Sequence, residues 1–90
     1  MYVITPYTQR RARELGVQVR PSNKKGKKVD VYKDGAFVVA IGSLGMGDYP
    51  TYLKSHGATY ARARQRSYLA QSRAHTRPGS AGFYARKLLW

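Results

Sequence analysis

The sequence predicts a small α+β domain: an N-terminal helix, one β-hairpin, and then two or three helices that include an Arg-rich helix. Three observations lead to this prediction. Helix-boundary residues enclose the segment from Thr5 to Gly16, an Asp-Gly pair separates two apolar runs, and nothing breaks a helix between Ala58 and Arg77. A chain of 90 residues is expected to form a single domain, residues 1–90.

The first predicted helix runs from Pro6 to Leu15. Thr5 suits the N-cap because its hydroxyl can accept a hydrogen bond from the first turn, and Pro6 suits the first helical position. Gly16 follows the last helical residue, where a left-handed conformation commonly ends a helix. Both ends of this helix are therefore predicted from local residues.

A flexible basic loop is predicted over residues 20–28, RPSNKKGKK, after a short extended piece that contains Val17 and Val19. The loop carries five positive charges. It fits a solvated linker, a targeting patch or a mobile arm that grips phosphates equally well. In the last case the gripping side chains are those of Lys24, Lys25, Lys27 and Lys28.

The hairpin is predicted from strands Lys28 to Lys33 and Ala36 to Gly42. Asp34-Gly35 between them is a strong signal for a two-residue turn. The second strand is apolar on both faces, so we expect a helix to cover it.

Two shorter helices are predicted on either side of the Arg-rich stretch. Asp48 is expected to cap a helix over Pro50 to His56, and Ser80 to cap one over Ala81 to Leu89. Trp90 gives the chain an apolar end, which is normally packed against the domain rather than extended into water.

The Arg-rich helix is predicted to run from Ala58 to Arg77. At 3.6 residues per turn, four arginines fall on one stripe: Arg62, Arg66, Arg73 and Arg77. From Tyr49 to Trp90 the chain has eight Lys or Arg residues and no Asp or Glu. Neighbouring charges on this helix repel each other, so we expect a partner to supply negative charge.

Composition supports a polyanionic partner. The chain has 17 Lys or Arg and 4 Asp or Glu residues, a formal charge of +13. Such a charge attracts nucleic acid, an acidic membrane surface or an acidic protein surface, and nucleic acid is the commonest of these. No apolar run approaches the roughly 20 residues of a membrane span, so no transmembrane segment is expected. Among the candidate polyanions we expect nucleic acid rather than a membrane.

Catalytic combinations are few. The chain has four acidic residues, two histidines and no cysteine, and neither His56 nor His75 has companions at metal-ligand spacing. For His75 we expect a structural or phosphate-contacting role. The sequence predicts no enzyme, no cofactor, no metal and no small-molecule substrate.

Three pieces of the sequence resemble one known family: KKVDVY at residues 27–32, GDYPTY at 47–52, and GFYA at 82–85 with the ending LLW at 88–90. In this order they resemble small basic proteins of unknown function from large double-stranded DNA viruses and tailed phages. The resemblance covers roughly residues 3 to 90. It implies a viral origin, a role with the virion or genome, and a location in the virion or infected-cell interior, but no activity.

Sequence-independent nucleic-acid binding is therefore the expected function, with DNA favoured over RNA. The stripe of arginines would contact phosphates and the lysine loop would form a second grip. The alternative is a minor, cement-type structural virion protein that docks on acidic capsid surfaces, using the strand at Val38 to Ile41 to extend a partner sheet. A ribosome-associated protein fits the charge and not the resemblance.

Overall fold

A computed structural model describes residues 2–74 and 77–90. These residues form an α+β fold with one three-stranded sheet and four helices. The elements are α1 (Pro6–Leu15), β1 (Gln18–Pro21), β2 (Lys27–Lys33), β3 (Ala36–Ser43), α2 (Tyr49–His56), α3 (Ala58–Gln71) and α4 (Ala81–Leu88). The predicted order, in which a helix is followed by strands and then by helices, is confirmed.

The sheet is an antiparallel meander in the order β1-β2-β3. The prediction of a single hairpin was wrong, because the extended piece after α1 pairs with β2 and places Val19 opposite Val31. On the other side of β2, Val29 lies opposite Ile41. This pairing depends on contacts between the strands, which the local sequence signals do not reveal.

The turn between β2 and β3 is the predicted one. Asp34 has φ 53° and Gly35 has φ 80°, the two positive values that a type I′ turn requires. A side chain at Gly35 would meet no atom within 4 Å, so glycine is favoured there by backbone conformation alone.

Side-chain caps begin three of the helices. Thr8 N donates to Thr5 Oγ1 (3.3 Å), Thr51 N donates to Asp48 Oδ1 (3.0 Å) and Phe83 N donates to Ser80 Oγ (3.1 Å). Each bond satisfies one backbone N–H that the first turn leaves without an intrahelical partner. The three predicted N-caps are therefore confirmed.

The core lies between the sheet and the helices that surround it. Its buried members are Ala12, Val17, Val29, Val31, Ile41, Tyr84, Leu88, Leu89 and Trp90. Burial of Trp90, which is 9 % exposed, confirms that this end of the chain packs on the domain. In the part of the chain that the structure describes, no helix has both the length and the apolar character to cross a membrane.

Two expectations about the sheet need correction. The connection between β1 and β2 is only residues 22–26, because residues 20, 21, 27 and 28 of the predicted basic loop lie in strands. The first part of β3 is not covered, since Phe37 is 46 % and Val38 37 % exposed. Farther along the strand, Val39 packs against the core and Ile41 is buried in it.

Candidate nucleic-acid interface

Most of the positive charge has no carboxylate beside it. Within residues 2–74 and 77–90, two of the 17 Lys and Arg side chains form ion pairs, Lys24 with Asp30 and Lys28 with Asp48. The N···O distance is 2.9 Å in both pairs. The remaining cations are held on the fold by other contacts or extend into solvent.

Helix α3 turns two arginines outward, as predicted. Its inner side carries Ala61, which is fully buried, and Leu69, which is half-buried. Arg62 and Arg66 are exposed and lie on the flank of Leu69, because helix positions seven and three residues apart share one side. Arg64 is exposed on the opposite flank. The sequence prediction therefore holds for the first half of the stripe.

The helix ends before the other two predicted arginines. Ser72 Oγ donates to the carbonyl oxygen of Tyr68 (2.7 Å), and Arg86 Nη1 donates to the carbonyl oxygen of Leu69 (2.9 Å) and to Ser72 Oγ (2.7 Å). These side chains satisfy carbonyls of the last turn, which a continuing helix would bond through its own backbone. The prediction that this helix continues to Arg77 was wrong, because α3 ends at Gln71.

Arg73 and Arg77 consequently do not extend the α3 stripe. Both are exposed and lie in the connection between α3 and α4. His75, which the sequence placed near the end of the arginine helix, lies outside the described residues. The geometry brings together Arg62 and Arg66 but gives no common helical face to all four predicted arginines.

A groove beside Arg62 and Arg66 contains cations that the sequence analysis did not select. It has a volume of about 200 Å³ and is lined by Tyr7, Arg11, Gln65, Leu69, Arg86, Lys87 and Trp90. Leu69, which lines the groove, belongs to the same flank of α3 as the two arginines, so Arg62 and Arg66 border the groove on that side. We call this surface the α1–α3–α4 groove.

The fold holds the groove cations in place. Arg11 Nε donates to the carbonyl oxygen of Lys87, and its guanidinium lies 5.5 Å from the centre of the Tyr7 ring. The guanidinium of Arg10 lies 5.8 Å from the same ring. Gln65 Nε2 donates to the backbone oxygen of Trp90 (2.6 Å), which ties α3 to the end of the chain. With the bonds from Arg86 to Leu69 and Ser72, these contacts order two of the groove cations, Arg11 and Arg86, before any ligand arrives.

The four lysines of the predicted loop occupy different environments. Lys25 and Lys27 are exposed, as a phosphate grip requires. Lys24 Nζ binds Asp30 and lies 4.2 Å from the centre of the Phe37 ring. Lys28 is 4 % exposed, so its assignment to a mobile grip was wrong.

The buried Lys28 ammonium is compensated by an ion pair with Asp48, the N-cap residue of α2. Asp48 Oδ2 accepts hydrogen bonds from Lys28 Nζ (2.9 Å) and from the Tyr2 hydroxyl (2.7 Å). Burial would raise the pKa of Asp48, but these two bonds and those from Thr51 outweigh it and hold the pKa below its usual value. Burial, the hydrogen bond and the Asp48 charge raise the pKa of Tyr2 far above its usual range.

Residues that could hold a metal do not converge. In residues 2–74 and 77–90, no three His, Asp or Glu side chains form a cluster suited to a metal ion. His56 Nδ1 lies 2.7 Å from Ser55 Oγ, and its ring stacks on Tyr60 with centroids 4.4 Å apart. The groups that the described surface offers to a ligand are thus cations, hydrogen-bond donors and aromatic rings.

Comparisons with known proteins add no relative. No protein-family model matches the chain. No curated protein and no solved structure matches it significantly.

Proposed function

We propose that the protein binds nucleic acid independently of sequence, through phosphate contacts along the α1–α3–α4 groove. Exposed Arg62 and Arg66 supply the outer contacts, while Arg11, Arg86 and Lys87 line the inner wall. The observation that carries the proposal is this gathering of cations from three helices on one surface, with no carboxylate paired to any of them in the described residues. A polyanion is the partner that such a surface attracts.

The residue types favour phosphate contacts over base reading. Arginine forms paired hydrogen bonds with phosphate oxygens and keeps its charge at any physiological pH. Sequence reading needs side chains that reach base edges in a groove, usually from one helix with Asn, Gln and Arg close together. On α3, Gln65 is committed to the backbone oxygen of Trp90, so it does not serve as a base reader. Lys25 and Lys27 would add contacts at a distance from the groove.

The setting we propose is a virus particle or the handling of a viral genome in an infected cell, with DNA as the favoured polymer. The viral setting is inferred from the sequence motifs at residues 27–32, 47–52, 82–85 and 88–90. Phosphate contacts of this kind suit packaging or coating, because they do not depend on which sequence is present.

A second candidate, a minor structural protein that docks on an acidic capsid surface, has one observation in its favour. Strand β3 is an edge of the sheet, and Phe37 and Val38 on it are exposed. A strand from a partner could pair with such an edge. The groove cations lie on helices rather than beside this edge, so they are better explained by nucleic acid.

The test is a competition assay with unrelated DNA duplexes and the double variant Arg62→Gln/Arg66→Gln. Gln keeps helix propensity while removing two charges. We expect all duplexes to compete equally, and the double variant to bind each about tenfold to a hundredfold more weakly near 0.1 M salt. The matched control is Lys33→Gln/Lys54→Gln, which removes two exposed charges, one at the hairpin turn and one on α2.

The control is expected to weaken binding much less. If the two double variants weaken binding equally, only net charge acts and the groove is not the interface. If Arg62→Gln/Arg66→Gln binds as the parent does, the helix faces another partner and docking on an acidic protein is favoured.

A further inference from the structure

A second cavity lies on the other flank of α3, away from the groove. It has a volume of about 340 Å³, within the range of small-ligand sites. Its wall includes three aromatic rings and three polar side chains: Tyr52, Tyr68, Trp90, Arg64, Ser67 and Gln71. The cavity therefore combines flat apolar surfaces with hydrogen-bonding groups.

The aromatic rings have a fixed arrangement. Trp90 stacks on Tyr68 with centroids 4.5 Å apart and planes 10° from parallel. The Tyr52 ring lies 6.1 Å from Trp90 at 48°. Packed rings of this kind offer a rigid surface against which a planar ring can lie at little entropic cost.

Two glycines in the cavity wall allow neighbouring segments to approach each other closely. A Cβ at Gly47 would lie 2.1 Å from Cζ of Tyr52, so only glycine lets that ring lie against the connection between β3 and α2. A Cβ at Gly42 would lie 2.9 Å from Cδ1 of Leu89. The close approach of these parts shapes the cavity.

The polar wall provides a cation beside the rings. The guanidinium of Arg64 lies 5.4 Å from the centre of the Tyr52 ring, and no carboxylate pairs with it in the described residues. Ser67 and Gln71 follow at positions three and seven residues later, on the same side of the helix. A ligand with a planar ring and an anionic group matches both walls.

We propose that this cavity binds one unstacked nucleotide, with its base against the aromatic wall and its phosphate at Arg64. The site lies on the opposite flank of α3 from the α1–α3–α4 groove and shares one lining residue, Trp90, with it. It rests on the proposed function only for the source of the nucleotide, which is either a nucleic-acid single strand or a free mononucleotide. Duplex DNA keeps its bases stacked and would not enter.

Trp90 is the chain's single tryptophan and lines both the cavity and the groove, so its fluorescence reports a ligand at either place and the Arg64 variant assigns the change to the cavity. Titration with dAMP is expected to change that fluorescence saturably at millimolar or lower concentration, and titration with ribose 5-phosphate is not. Arg64→Gln should weaken dAMP binding about tenfold, because it removes a charge-assisted hydrogen bond. Lys33→Gln removes one charge at the hairpin turn, outside the lining of both the cavity and the groove, and should leave dAMP binding unchanged.

Two results would overturn the site: no saturable change with dAMP, or equal weakening by both variants. A short oligo(dT) strand and a DNA duplex identify the source. If Arg64→Gln weakens binding of the oligo(dT) strand more than binding of the duplex, the nucleotide belongs to a single strand. If it weakens dAMP binding alone, a free mononucleotide is the ligand. Loss of duplex binding in Arg62→Gln/Arg66→Gln tests the groove independently of all these outcomes.

Discussion

The Lys28 ammonium lies 2.9 Å from Asp48 Oδ2, and the two side chains are 5 % and 1 % exposed. This buried pair links β2 to the start of α2, because Asp48 also caps that helix. One of the few carboxylates in the chain thus neutralises a buried cation, while the outer cations keep their charge for a partner. The pair serves the fold and not the proposed interface.

Removal of the buried ammonium should destabilise the protein strongly. Lys28→Met keeps the length of the side chain but leaves Asp48 buried without its cation. We expect the free energy of unfolding to fall by about 3–5 kcal/mol, measured by urea denaturation. The control Lys33→Met, at an exposed position, should change it by less than about 0.5 kcal/mol. Similar urea midpoints for the two variants would contradict the burial of the pair.

The same pair predicts a loss of stability in acid. The folded-state pKa of Asp48 is depressed below the unfolded value of about 3.9, so its stabilisation is present above that pH and is lost as the pH falls through the folded value. Asp48→Asn keeps a good N-cap residue and removes the titration. We expect this variant to be less stable at pH 7 and to lose less on acidification. If the free energies of unfolding of the parent and of Asp48→Asn fall in parallel below pH 5, Asp48 does not have a depressed pKa in the folded state.

Trp90 is predicted to stabilise the domain through its packing on Tyr68. The side chain is 9 % exposed, and the rings stack with centroids 4.5 Å apart. Trp90→Ala should lower the free energy of unfolding by about 3–5 kcal/mol. Val3→Ala, at a residue that is 80 % exposed, is the control and should have little effect on the thermal midpoint. An unchanged midpoint in Trp90→Ala would show that the end of the chain does not pack on α3.

The turn at Gly35 offers a test of backbone strain without a steric clash. Since a side chain there meets no neighbour within 4 Å, any cost must come from the positive φ of 80°. Gly35→Val should destabilise by about 1–3 kcal/mol, and Gly35→Asn by much less because Asn tolerates this conformation. Equal urea midpoints for the two variants would exclude the type I′ turn.

Local signals were sufficient to predict much of the fold. The cap at Thr5, the turn at Asp34-Gly35 and the caps at Asp48 and Ser80 each depend on residues within one turn of the chain. Such interactions can be recognised without knowing what packs on them. The separate helices predicted over Pro50 to His56 and from Ala58 are also present, with Gly57 between them.

Contacts distant in sequence decided the rest. The end of α3 depends on Arg86, which satisfies the carbonyl of Leu69 from a different helix. Burial of Lys28 depends on Asp48, twenty positions away. The inner wall of the groove depends on Arg11 and Lys87, which the fold joins across 76 positions. A helical wheel shows Arg62 and Arg66 but none of these partners.

The most direct test of nucleic-acid binding at the groove is the salt dependence of DNA affinity. Each phosphate contact contributes a slope of about −0.9 to log affinity against log salt, because binding releases counterions. Arg62→Gln/Arg66→Gln should make the slope shallower by roughly 2 units, equally for unrelated duplexes. The control Lys33→Gln/Lys54→Gln should leave the parent's slope nearly unchanged. If Arg62→Gln/Arg66→Gln has the same slope as the parent protein, these arginines do not contact DNA phosphates and nucleic-acid binding at the groove is contradicted.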